Sequence, residues 1–383
     1  MPGEFEPTTD NQALKEQIIA RIRAEGAISF RDFMAMALYQ PQLGYYCSPG
    51  DKMGRAGDYL TSPEVSPVFG TLIGRQLREM WEVMGRPASF RIVEAGAGNG
   101  TLCRDLLRWA RRTEPGFFEA VDYRIVEVSA RLVERQREAL AAEPEIAERV
   151  RWDERLPART EGCIFSNELL DSMPVHRLRL RDGRLQEIYV GWDGQRLVEE
   201  MRPPSPEVSH YFGRLGLLPG EGCAAEVNLE ALEWVRQAGG ALERGFLLTL
   251  DYGYEAAELY APWRREGTLL CFYHHNPGTD PYARIGRQDM TSHVDFTSVR
   301  RTGEETGLET LGLTTQSEFL ANLGIAEAAS PPNEGDVGLE DYFARRRAVI
   351  ELVDPAALGR IRVLVQAKQV GQPLITGLGG SRP

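Results

Sequence analysis

A run of alternating glycines and two groups of carboxylates mark where this chain could do chemistry. From Arg91 the sequence reads as an apolar strand carrying Glu94 and Ala95, followed at once by Gly96, Gly98 and Gly100. Glycines accept positive φ and leave no Cβ in the way of a ligand. A helix starting near Thr101 would aim its free N–H groups at the same point. Such a turn is built to hold a cofactor. A dinucleotide loop would need its third glycine where Thr101 stands, so the spacing argues against one. Glu127 ends the next strand and could take both hydroxyls of a ribose through charge-assisted bonds, or could be a solvated strand-end acid. Asp153, within Arg151-Trp152-Asp153-Glu154, could sit by an adenine amino group with Trp152 as an apolar wall, or belong to an ordinary loop.

The second group is Ser166-Asn167-Glu168-Leu169-Leu170-Asp171-Ser172-Met173-Pro174. A helical turn there would set Glu168 and Asp171 at i and i+3 on one side. Paired carboxylates can hold a cationic acceptor such as a guanidinium, and one of them can remove its proton during group transfer. Asp171 could instead cap the turn or pair with Arg177. Asp251-Tyr252-Gly253-Tyr254 could line an acceptor pocket or form a core aromatic pair, and His293 is expected as a pocket residue oriented by Asp295. His274-His275 make a poor metal site, because neighbours on a strand face opposite ways and no third ligand follows at regular spacing. No metal is expected.

The elements that must position these groups alternate. Strands are expected at Arg91–Ala95, Tyr123–Val128, Gly162–Ser166 and Gly245–Asp251, which points to a parallel sheet with helices on both faces. Ahead of it, helices at Asn11–Glu25, from Ser29, and at Pro67–Met84 make an N-terminal cap. Between the third and fourth strands, Val175–Leu180 and Leu185–Val190 flank the turn signal Arg181-Asp182-Gly183-Arg184. Gln195–Glu200, a Pro-rich linker at 203–206 and a helix near Leu229–Ala241 follow. Leu308–Gln316 and Ile361–Gln369 close the chain as two strands around a helical stretch. The expected division is 1–89 as cap and cofactor-covering loop, 90–174 with 245–383 as core, and 175–244 as an inserted meander or lid.

Composition narrows the class. The 383 residues are 42% apolar and 26% charged, enough for a large core in one elaborated domain or two. No apolar run nears the roughly 20 residues of a membrane span, and the N-terminus lacks a signal-peptide pattern, so a cytoplasmic protein is expected. Five cysteines without a C-x-x-C pair read as free, mostly buried thiols. A net charge of −12 opposes nucleic-acid binding. The expected partners are a protein or small-molecule acceptor and a second copy in a homodimer.

The form Glu94-x-Gly96-x-Gly98-x-Gly100 matches the layout of class I S-adenosylmethionine (SAM) methyltransferases. Together with Gly57 to Ser66, Ser166 to Val175, Leu250-Asp251-Tyr252-Gly253 and Thr291 to Phe296, it resembles the MidA family of that class. The resemblance covers most of the chain and implies SAM as cofactor, a Rossmann-like sheet with an N-terminal helical cap and an inserted antiparallel lid, and protein arginine methylation. A small-molecule oxygen or nitrogen acceptor, or an assembly chaperone that binds SAM, are the alternatives. By this resemblance Thr61, Ser62 and Pro63 close over SAM, and Asn167 and Glu168 stand between its methionine end and the acceptor.

Overall fold

The structure, a computed structural model, describes residues 9–50, 52, 54, 57–330 and 339–380. Seven strands form the central sheet: β1 (Phe90–Ala95), β2 (Val121–Val126), β3 (Val150–Asp153), β4 (Thr160–Asn167), β5 (Leu242–Asp251), β6 (Glu309–Thr315) and β7 (Arg362–Lys368). Their order is β6-β7-β5-β4-β1-β2-β3, with β7 antiparallel to both neighbours and the other pairings parallel. Ile92, Val93, Ile164 and Leu248 are fully buried, as expected of strands covered on both faces. The helices Pro67–Val83 and Thr101–Thr113 pack on one face, and Leu229–Ala241 and Phe296–Glu305 on the other. Chain connections diverge between β1 and β4, which opens a crevice at the carboxyl ends of those strands, where open α/β sheets bind ligands. No helix among the described residues is long and apolar enough to cross a membrane.

Two excursions leave the central sheet. The first carries the strands His176–Arg181, Arg184–Trp192 and Leu197–Arg202, but its sheet has members the sequence did not suggest. Ile28–Ser29 from the N-terminal cap pairs with Arg184–Trp192, and Ala224–Val227 pairs with His176–Arg181. Cap and insertion thus share one sheet and one apolar cluster, in which Leu14, Ile18 and Phe33 meet Val175 and Val190. Part of the expected Pro-rich linker is a helix, Pro206–Leu215, with Ser205 accepting a bond from Val208 N at its start.

The second excursion follows β5. It contains an antiparallel sheet of Leu270–Tyr273, Asn276–Gly278 and Asp289–Thr291, the first within the strand-like run Thr268–His274 and the other two in a stretch that reads as loop up to Phe296. His274 and His275 have φ of +48° and +60° and join strands whose ends pair as Tyr273 with Asn276. They form a two-residue hairpin turn rather than the end of a strand. All five cysteines are free, and four of them are buried.

Candidate functional site

The glycine turn adopts the conformation its residues allow. Gly96, Gly98 and Gly100 have φ of +70°, +55° and +76°, and Gly100 forms the N-cap of the helix Thr101–Thr113. A Cβ on Gly96 would lie 2.8 Å from the Leu169 side chain, so the glycine turn and the acidic turn after β4 are in direct contact. A cleft of about 650 Å³ opens over them, lined among others by Gly96, Gly98, Asn99, Glu127 and Asn167. Glu127 is 8% exposed, with Oε1 accepting from Ser129 N at 2.9 Å and Oε2 from Gln136 Nε2 at 3.3 Å. Burial raises its pKa, against the pull of those bonds.

Gln136 is a residue that spacing could not reveal. Its Nε2 also donates to Gly98 O at 2.9 Å, and its Oε1 accepts from Trp152 Nε1 at 2.9 Å. One side chain therefore ties the glycine turn to Glu127 and Trp152. Glu64 plays the same part for the covering loop, its Oε1 accepting from Asn99 Nδ2 at 3.1 Å and Thr101 Oγ1 at 2.7 Å. Thr61 and Pro63 line the cleft.

Three of the residues expected at the cofactor do not line this cleft. Ser62 is fully buried and turned inward, its N–H donating to Glu168 Oε1 at 2.9 Å and its hydroxyl to Gln316 Oε1 at 3.0 Å. Asp153 pairs with Arg124 at 3.5 Å and does not line the cleft. Gly100 shapes the turn against the Gln136 side chain and does not line it either. Glu94 does line it, with Oε2 accepting from Tyr123 at 2.7 Å and its pKa pushed up to about 7 by burial.

The cleft's own chemistry fits the expected cofactor. Asn99 Oδ1 and Asn167 Oδ1 are buried without a hydrogen-bond partner, and both residues line it. Unpaired acceptors beside a carboxylate suit an α-ammonium group. Glu127 suits a ribose diol.

Behind Glu168 lies a second cavity of about 270 Å³. Tyr46, Tyr59 and Glu168 line both cavities and stand between them. The segment after β4 is a non-helical turn rather than the helical one expected, with Glu168 at φ +52°. A non-glycine residue with positive φ costs energy and persists where its surroundings hold it. The holder is Asp251, whose carboxylate accepts from the backbone amides of Leu169, Leu170 and Tyr252. Glu168 Oε1 accepts from Ser62 N and, at 3.0 Å, from Asn167 Nδ2, while burial pushes its pKa up to about 7.

The inner cavity collects Glu168, Asp171, Asp58 and Asp289. Asp171 is 7% exposed, and its pKa is raised well above the carboxylate range by burial and by Asp251. It does not pair with Arg177, whose partners are Glu199 and Glu226. Asp58 and Asp289 come from segments that carry no periodic signal. Asp58 accepts from Tyr45 OH and His274 N, both at 2.7 Å, and Asp289 from Tyr46 OH at 2.6 Å.

His293 also lines this cavity, but Asp295 does not orient it. The Asp295 carboxylate caps the helix Phe296–Glu305 and accepts from Tyr211 OH at 2.6 Å. His293 instead stacks on Tyr252 at 6.3 Å and tilts against Tyr254 at 5.2 Å. Burial, with Arg360 and Arg264 nearby, lowers its pKa to about 3, so it is neutral at pH 7, and its Nδ1 is buried without a partner.

Comparison with known proteins agrees with this geometry. A model of the family described as "Putative S-adenosyl-L-methionine-dependent methyltransferase" matches residues 72–314. The mitochondrial protein arginine methyltransferase NDUFAF7 homolog of Drosophila melanogaster is 30% identical, covering 94% of this chain and 86% of its own length. Mitochondrial protein arginine methyltransferase NDUFAF7 of Mus musculus is 29% identical, covering 84% and 76%. A Burkholderia thailandensis crystal structure with bound S-adenosyl-homocysteine superposes with a TM-score of 0.88 at 32% identity, covering 97% of this chain and 96% of that one. The chain belongs to the MidA-like family of class I methyltransferases, enzymes that use S-adenosylmethionine.

Proposed function

We propose that this methyltransferase acts on the guanidinium of an arginine side chain in a protein. The observation that carries the reading is the inner cavity, where four carboxylates and the rings of Tyr46, Tyr59 and Tyr252 meet next to the cofactor cleft. Carboxylates neutralise and orient a planar cation, and aromatic faces attract it. The names of the relatives point the same way. The cofactor supplies a methyl group on an already activated sulfonium, so the protein's work is positioning, exclusion of water and acceptance of a proton. A guanidinium nitrogen gaining a methyl group loses one proton, which we assign to Glu168 Oε2, since both bonds that fix this side chain fall on Oε1. A base with a pKa near 7 is matched to that task at neutral pH. Asp171 and neutral His293 flank the acceptor.

In this reading the described residues of 90–174 and 245–383 carry the cofactor, and those of 1–89 and 175–244 cover it. The relatives named above are mitochondrial, whereas the lack of a membrane-span run and of a signal-peptide pattern pointed to the cytoplasm. Cell fractionation decides the compartment, and light scattering tests the expected homodimer. The function itself is tested by incubating the enzyme with methyl-tritiated SAM and host lysate, then hydrolysing the protein fraction. Label recovered as methylarginine supports the proposal. Label in another amino acid, or only in small molecules, refutes it.

A further inference from the structure

Arg360 stands where a purely cation-binding cavity should have no cation. It is the one arginine or lysine among the described residues lining the inner cavity, in the company of Asp58, Glu168, Asp171 and Asp289. Its side chain is exposed, and its guanidinium lies over the Tyr252 ring, 5.3 Å from the centroid. Its guanidinium makes no hydrogen bond or ion pair to any described residue, while its backbone N–H donates to Ala357 O. The mount is rigid. Arg360 ends the 3₁₀ turn Leu358–Arg360, in which Gly359 N donates to Asp354 O at 2.9 Å and a Cβ on Gly359 would fall 2.4 Å from Val353 O. Tyr252 also stacks against His293 with an interplanar angle of 15°, which helps fix the ring beneath Arg360.

A cation in this place repels an incoming guanidinium unless the acceptor brings a negative charge to meet it. We propose that Arg360 is a specificity-determining residue that selects arginines flanked by an aspartate or glutamate. The methylated guanidinium enters among the carboxylates, and the neighbouring side-chain carboxylate pairs with Arg360 at the mouth. Arg360 takes no part in the transfer itself. This inference rests on the protein-arginine reading and sharpens it to a class of sequence.

The test uses peptides of the form acetyl-Ala-X-Arg-X-Ala-amide, with X as Asp, Ala or Lys, and measures kcat/KM with labelled SAM. An exposed pair of this kind is expected to favour the Asp peptide over the Ala peptide by about fivefold, mostly through KM, with the Lys peptide poorest. Arg360→Leu should erase the ranking, Arg360→Glu should reverse it, and Arg360→Lys should keep most of it. SAM affinity should stay unchanged in all three, which shows that they are folded. If wild type methylates all three peptides alike, or if the variants slow every peptide equally, the inference is wrong and the arginine reading stands. If no peptide is methylated while lysate label appears outside arginine, the arginine reading falls and the inference falls with it. If no peptide is methylated but lysate protein gains methylarginine, the residues flanking the mapped site decide, and a site without an acidic neighbour overturns the inference.

Discussion

Replacing Glu168, which stands between the two cavities, by glutamine separates catalysis from architecture. The glutamine keeps an acceptor oxygen for Ser62 N and Asn167 Nδ2 and nearly the same volume, and it removes the charge. The wild-type carboxylate titrates at about 7 instead of 4.5 because it is buried, so its ionised form costs on the order of 3 kcal/mol above that pH. Glu168→Gln lifts that cost. The melting temperature at about pH 8 should therefore be unchanged or higher, and SAM affinity should stay within about threefold. Turnover should fall by about 10²-fold or more, the usual loss for a general base. Wild-type kcat should rise with pH through about 7 as Glu168 loses its proton, and the variant should lack that limb. Calorimetry for SAM, thermal melts and labelled transfer on the same two proteins measure all of this. Normal turnover in a well-folded Glu168→Gln enzyme would refute the assignment.

Glu127→Ala should weaken SAM binding by about 1.5–3 kcal/mol by calorimetry, the range for a charged hydrogen bond, and a loss of a few tenths would make Glu127 a bystander. Gly98→Val puts a β-branched residue at φ +55° on the cleft lining, and should abolish SAM binding in a protein that still folds; retained affinity would overturn the cradle. Glu94 and Asp251 titrate at about 7 and Asp289 at about 6, each above its ordinary value through burial. The folded chain thus keeps protons that the unfolded chain releases, so this stabilisation is full below about pH 4 and is lost as pH rises through about 6 to 7. The melting temperature of the apo protein should be lower at about pH 8 than at about pH 5, and a rise would contradict these assignments.

Much of the frame was legible because it rests on local rules. Apolar runs marked the buried strands, and Ser66-Pro67 marked a helix start where Ser66 does accept from Val68 N. Gly96 and Gly98 announced a ligand turn because only glycine takes that path without strain. What stayed hidden depends on contacts between distant segments. Gln136 reaches Gly98 from another helix, Asp58 and Asp289 meet across a gap of more than two hundred residues, and Ile28–Ser29 joins a sheet built mostly from the insertion. The i, i+3 geometry foreseen for Glu168 and Asp171 failed because Asp251 captures the amides of the turn and leaves it non-helical. Asp295 looked like a partner for His293 from proximity in sequence, yet its place before a helix made it a cap.

In the proposed reaction the methyl group moves from the cleft to the inner cavity between Tyr46, Tyr59 and Glu168. A crystal structure of this enzyme with S-adenosyl-homocysteine tests it most directly. The ribose hydroxyls should lie on Glu127, the amino-acid end over Gly96 and Gly98, and the sulfur should face Tyr46, Tyr59 and Glu168, towards Asp58, Asp171 and Asp289. A sulfur turned away from these residues, towards the helix Leu229–Ala241 on the wall of the cleft, would rule out transfer into the inner cavity.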